Sequence, residues 1–265
     1  MPVAMGDLAD DLVAETAVLR GLLTGLDDAG WHRPTPAAGW SVADQVAHLA
    51  HFDDAAVRSA TDPDGFRAEV EPGTDGGVDP DRIAAGYRGT PPAELLRWSD
   101  AARDRLVAVF RGLDPGRRLP WYGPPMSAAS ALTARIMETW AHGQDVADAL
   151  GVVREPTARL RHVAHLGVAA RPFSHAVHGQ EPPAAPVRVE LAAPDGGTWT
   201  WGPEDAADRV RGPALDFCLV VTQRRHLDDV ALEVVGPEAR RWMGVAQAYA
   251  GAAGTGRAPR GGAAG

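Results

Sequence analysis

A chain of 265 residues with 45% apolar and 23% charged side chains has the composition of a soluble globular protein, long enough for one large domain or two small ones. Its formal charge of −9 makes it a poor partner for phosphate backbones and anionic membranes, so neither nucleic acid nor a lipid surface is expected as its main ligand. The single Cys218 allows no internal disulfide, the acidic N-terminus lacks the basic start of a signal peptide, and no run of about 18 apolar residues is present to span a bilayer; the cytoplasm is the expected location.

Leu8, Leu12, Leu19, Leu22, Leu23 and Leu26 recur at helical spacing and predict an amphipathic helix over 5–28. A Pro- and Gly-rich loop runs from Gly30 to Trp40. Ser41 has the form of an N-cap, with Asp44 in the capping-box position, and opens a helix to about Ala60 whose apolar stripe is Val42, Val46, Leu49 and Phe52 or Val57. Residues 61–80 read as loop. Thr90 as N-cap and Pro91 at the first helical position start a third helix to about Arg111. After a long turn over 114–125, Ser127 caps a fourth helix that ends near Gly151, and a shorter helix spans 157–171.

The pattern changes near Pro182. Val187, Val189 and Leu191 alternate with polar residues, Asp195-Gly196-Gly197 is a turn, and Thr198–Trp201 is the returning strand. Helices over 213–225 and 237–250 flank a strand over 230–235. The expected organisation is an all-helical domain over 1–180, a small α+β domain over 186–250, and a low-complexity disordered tail over 251–265. No glycine motif for a dinucleotide or a nucleoside triphosphate is present.

Glu138 and His142, four apart, share one face of the fourth helix, a turn from each other. His48 lies on the core side of the second helix with Val46 and Leu49. Helix bundles build metal sites from such facing side chains, and two imidazoles with a carboxylate suit Zn2+, while Fe2+, Ni2+ and Mn2+ accept the same ligand types. On spacing alone, a surface ion pair or a hydrogen-bonded core histidine are the alternatives. His51 is read as facing a neighbouring surface or orienting the site, rather than binding the ion. Asp145 is either an acceptor for a ring N–H or a solvated position, and Gln45 lines the pocket. His162, His165, His175 and His178 form a loose second cluster, read as polar surface or pocket wall. Cys218, in an apolar run, is a buried structural thiol, and Trp31, Trp40, Trp121 and Trp140 are core or pocket wall.

PAAGWSVADQVAHLAHFDDA (36–55) and METWAHGQDVADALG (137–151) carry Gly39-Trp40-Ser41-Val42, His48-Leu49, and Glu138 with His142. They resemble the mycothiol-dependent maleylpyruvate isomerase family of actinobacteria, and within it a subfamily of metal-binding proteins. The resemblance covers the helical domain and continues more faintly in GPALDFCLVVTQRR (212–225). It implies an α plus α+β fold class: an N-terminal DinB-like four-helix bundle with a small C-terminal α+β domain. It also implies metal ligation by His48, Glu138 and His142. An arginine of the second domain that helps bind an anionic substrate falls on Arg224, with Arg225 the alternative; Gln223 stands where the family pattern has Gly, and Arg135 is a third candidate cation. The implied function is a metal-dependent isomerase or transferase that uses mycothiol on a small electrophilic substrate. The alternatives are a thiol-independent Lewis-acid isomerase, cyclase or hydrolase, and a non-catalytic metal-binding protein.

Overall fold

A computed structural model describes residues 4–70, 79–181 and 183–261. The chain divides into two compact units, Met1–Arg154 and Glu155–Gly265. The first holds α1 (Met5–Leu23), α2 (Asp28–Trp31), α3 (Val42–Thr61), α4 (Pro63–Glu69), α5 (Pro80–Gly86), α6 (Pro92–Arg111), the two-residue strands β1 (Arg118–Leu119) and β2 (Met126–Ser127), and α7 (Ala128–Leu150). Helix α3 packs on α6 and α7, and α1 packs on α7 and α6, which closes a four-helix bundle.

The helix expected over 5–28 stops at Leu23. Thr24 turns extended, Gly25 takes φ +79°, and the Asp27 side chain accepts from Gly30 N at 2.8 Å to start α2 afresh. The helix at Ser41 begins as expected: Ser41 Oγ accepts from Asp44 N at 3.3 Å and Asp44 Oδ2 accepts from Ser41 N at 2.8 Å. Part of the loop expected over 61–80 is helical, because the Asp62 side chain caps α4 at Gly65 N and Pro63 occupies its first turn. Residues 71–78 of that loop lie outside the described residues. Pro91, not Thr90, is the N-cap of α6. Ser127 caps α7 by accepting from Ser130 N at 3.1 Å, and Gly151 closes the helix at φ +69°.

Burial would raise the Asp44 carboxyl, but the Ser41 N–H, the Ser41 hydroxyl and the Arg88 guanidinium outweigh it and hold it below its ordinary 3.8. Because the folded value is the lower one, the stabilisation is complete above the unfolded value and is lost as pH falls through the folded value. Asp44→Ala is expected to cost about 1–2 kcal/mol at neutral pH. It should also flatten the acid limb of a plot of urea midpoint against pH; an unaltered acid limb would refute the assignment.

Two large apolar clusters fill the bundle, and a smaller one gathers Phe52, Ala55 and Phe66. One of the large clusters contains Leu8, Leu12, Leu106, Phe110, Leu132 and Ile136, and the other Leu19, Leu23, Trp31, Val42, Val46, Leu49, Leu95 and Val146. Between them along the four long helices falls a buried polar layer: Glu15, Asp53, Arg103 and Thr139.

The second unit holds α8 (Leu160–Ala169), α9 (Arg171–Val177), β3 (Val187–Ala192), β4 (Thr198–Trp201), β5 (Asp208–Pro213), α10 (Ala214–Val221), β6 (Glu233–Val235) and α11 (Pro237–Met243). Its sheet runs β4-β3-β5-β6, with β3 antiparallel to β4, parallel to β5 in the register Val187↔Asp208, and β5 antiparallel to β6. Strand β5 has no counterpart in the sequence reading. Its outward positions are Arg209 and Arg211, only Val210 supplies apolar alternation, and it ends in Gly212-Pro213, so its period-2 signal is thin.

The helix predicted over 157–171 appears as α8 and then α9; α8 packs on α10 within the unit that starts at Glu155, whereas the sequence predicts the domain boundary near 180. The approach is close: a Cβ on Gly167 would lie 2.7 Å from Val221 Cγ2. Residues 251–261 are tied to the body where disorder was expected. Gly254 N donates to Gln247 Oε1 at 2.9 Å and Arg260 N to the Asp229 carboxylate at 3.0 Å; residues 262–265 lie outside the described residues.

Candidate metal centre

His48 projects from α3, and Glu138 and His142 from successive turns of α7. Both histidines aim Nε2 at one carboxylate oxygen: Glu138 Oε2 lies 3.3 Å from His48 Nε2 and 3.1 Å from His142 Nε2. The imidazole centroids are 4.4 Å apart, and one donor atom from each residue lies within 4.8 Å of the other two. Among the described residues this is the only such grouping of His, Cys, Asp and Glu. Both imidazoles are buried, at 7% and 8% exposure. Trp40 stacks on His142 with centroids 5.8 Å apart and planes 18° from parallel, and Phe52 lies 4.6 Å from His48.

Burial, assisted by the neighbouring His142, pushes His48 down to about 3, so its ring is neutral at neutral pH and keeps a lone pair to donate. Burial would raise the Glu138 carboxyl, but hydrogen bonds from His142 and His48 outweigh it and hold the group well below the carboxylate range. One anionic oxygen and two imidazole nitrogens thus face a common point. A divalent cation with nitrogen and oxygen ligands fits that donor set, and a site with three protein ligands keeps a position open.

His142 Nδ1 meets Gln45 Oε1, not Asp145; Asp145 is fully buried, which removes the solvated alternative. Gln45 is itself fully buried, and its role as the partner of His142 was not visible from spacing alone. His51 turns to Tyr87, its Nδ1 3.1 Å from the phenol oxygen. Arg135 is spent inside the bundle: it donates from Nε to Asp53 Oδ1 at 2.9 Å and from its Nη2 to Leu49 O at 3.0 Å, and at 4% exposure it is not available to a substrate. Arg103 donates from Nε to the other Asp53 oxygen at 2.7 Å and to Thr139 Oγ1 at 3.0 Å.

The second histidine cluster does not come together. His175 Nδ1 pairs with Gln180 Oε1 at 2.8 Å, His178 Nδ1 with Ser174 O at 2.8 Å, and His165 is exposed. Cys218 is fully buried, and burial raises its thiol far above the ordinary value, as a structural cysteine requires. Arg224 follows α10 in the second unit, where Gln223 takes φ +58°. Arg224 N donates to Leu219 O at 2.7 Å and Gln223 N to Val220 O at 2.9 Å, the Schellman closure in which glycine is favoured. That accounts for a glycine in the family pattern. Gln223 holds the conformation through its amide, donating to Ala246 O at 3.2 Å and accepting from the Tyr249 hydroxyl at 2.5 Å. Arg224 also donates to Thr222 O at 2.6 Å.

No helix of the described residues is long and apolar enough to cross a membrane. Residues 12–147 match the family described as the mycothiol maleylpyruvate isomerase N-terminal domain, and residues 183–234 match one described as wyosine base formation. Two uncharacterised proteins of Mycobacterium tuberculosis, from strains CDC 1551 / Oshkosh and ATCC 25618 / H37Rv, are each 48% identical over 256 residues, which is 95% of this chain and 98% of theirs. The crystal structure of the mycothiol-dependent maleylpyruvate isomerase has a TM-score of 0.61 at 16% identity, covering 89% of this chain and 96% of its own. An alanine mutant of the same enzyme gives a TM-score of 0.59 at 17% identity over the same shares. The fold class is the one the resemblance implied, a DinB-like helical bundle followed by an α+β part. The chain belongs to the mycothiol maleylpyruvate isomerase N-terminal domain family.

Proposed function

We propose that His48, Glu138 and His142 hold one divalent metal ion, most simply Zn2+, and that the protein is an enzyme using a small thiol, mycothiol in the family's name, to isomerise or transfer a small electrophilic substrate. The convergence of two buried Nε2 atoms on one Glu138 oxygen carries this reading. The ion, when bound, lowers the pKa of a thiol or water at its open position so that a nucleophile exists at neutral pH.

The chain's own residues prepare that position. His48 stays neutral and Glu138 ionised, so the imidazole carries no charge to repel the cation and the carboxylate offsets part of the cation's charge. Trp40 and Phe52 wall the imidazoles with apolar surface and keep water from their faces. Arg224 is the proposed partner of an anionic group on the substrate, with Arg225 as the alternative.

The test is a titration of the Co2+-loaded protein with mycothiol, after elemental analysis of the purified zinc form. About one ion per chain and a shift of the visible cobalt bands on adding thiol are expected. A bound ion with no thiol response would replace this reading by a thiol-independent Lewis-acid enzyme, or by a metal-binding protein if activity is also absent. No metal after reconstitution would overturn it.

A further inference from the structure

Gln45 is a fully buried amide one turn before His48 on α3, and its two ends are committed in opposite directions. Its Nε2 donates to Thr35 Oγ1 at 2.9 Å. The Thr35 hydroxyl passes its own proton to Trp40 O at 2.9 Å, so at Gln45 it acts as acceptor only. The amide is thereby fixed with Oε1 toward His142 Nδ1. A carbonyl oxygen only accepts, so Nδ1 carries a proton, and Nε2, which hydrogen-bonds to Glu138 when no metal is bound, is the nitrogen that would give up its own proton to bind the ion. The loop that anchors this chain is itself closed: Pro34 and Ser41 form a bridge, and Thr35 N donates to Trp40 O at 2.7 Å. The Trp40 ring from the same loop covers the His142 face. One short loop thus grips the imidazole on its face and, through Gln45, on its edge.

We propose that Gln45, held by Thr35, is a positioning residue that makes His142 bind the metal through Nε2 by fixing the proton on Nδ1. The inference rests on the metal reading above but concerns an atom that is observable without metal. Outer partners of this kind are worth roughly 10–100-fold in metal affinity.

The experiment compares Gln45→Leu, Gln45→Glu, Thr35→Val and Thr35→Ser with the wild type. Zn2+ affinity is measured by chelator competition, and the ring nitrogens of His142 are followed by 15N NMR in the loaded and metal-free proteins. Gln45→Leu should lose roughly 10–100-fold in affinity and the single pattern of protonated Nδ1 with metal-bound Nε2. Gln45→Glu, which keeps an acceptor, should retain that pattern. Thr35→Val should lose less than Gln45→Leu, and Thr35→Ser should restore the wild-type value. Affinity within twofold of wild type in Gln45→Leu, with an unaltered nitrogen pattern, would overturn the proposal. If Gln45→Leu does not fold, the two Thr35 variants decide: equal affinity and equal nitrogen patterns in both would overturn it. If the wild type takes up no Zn2+, the metal reading fails, while a protonated Nδ1 in the metal-free wild type still supports the Gln45 contact and an unprotonated one refutes it.

Discussion

Replacing His142 or His48 with alanine is expected to lower the metal content of the purified protein from about one ion per chain to near zero. Structural zinc sites with four protein ligands are worth about 10–16 kcal/mol, or roughly 3–4 kcal/mol for each ligand. Loss of one ligand from a three-ligand site therefore predicts an affinity lower by roughly 10²–10³-fold. Glu138→Gln keeps an oxygen in place but loses the charge, so an intermediate loss is expected. Folding should survive the loss of His48, whose Nδ1 is already buried without a partner. Elemental analysis beside circular dichroism checks both statements. A full ion in all three variants would put the metal elsewhere.

The second large effect belongs to the polar layer of the bundle. Asp53, 1% exposed, accepts from Arg135 at 2.9 Å through one oxygen and from Arg103 at 2.7 Å through the other. These contacts tie α3 to both α6 and α7. Asp53→Ala leaves two guanidinium groups, 6% and 4% exposed, without their shared anion. Breaking a buried pair in this way costs about 3–5 kcal/mol. At roughly 2–4 °C per kcal/mol for a chain of this size, the melting temperature should fall by roughly 6–20 °C. The exposed Arg20–Asp100 pair, at 45% and 39% side-chain exposure, is the control. Asp100→Ala should cost no more than about 1 kcal/mol, because solvent screens the pair. Equal losses in the two variants, read by thermal denaturation, would show that Asp53 is not the keystone of the layer.

Features that depend on a few neighbouring residues were legible before any tertiary structure. The capping box of Ser41 and Asp44, the Ser127 cap and the Gly151 stop all formed where residue type and spacing placed them. So did the β3–β4 hairpin around Asp195-Gly196-Gly197. Each is a contact within one turn of chain, decided by local geometry. The Glu138–His142 pairing belongs with them, since side chains four apart on a helix lie one above the other and are within reach.

Other features required the packed bundle. Gln45 and His142 are 97 positions apart, and nothing local tells a buried glutamine which ring it will meet. Arg135 had the profile of a substrate cation, yet the register of α7 against α3 turns it onto Asp53. Strand β5 shows little alternation of its own and exists because the edge of β3 offers it hydrogen bonds in parallel register. Helix α8 looked like a continuation of the bundle, but its buried face, Leu160, Val163, Ala164 and Gly167, packs with the second unit. By itself, then, the sequence determined where α3 and α7 begin and that Glu138 and His142 share one helical face, because those depend on atoms a turn apart. Only the tertiary structure decided which buried polar groups meet, because that depends on the register between helices and strands far apart in the chain.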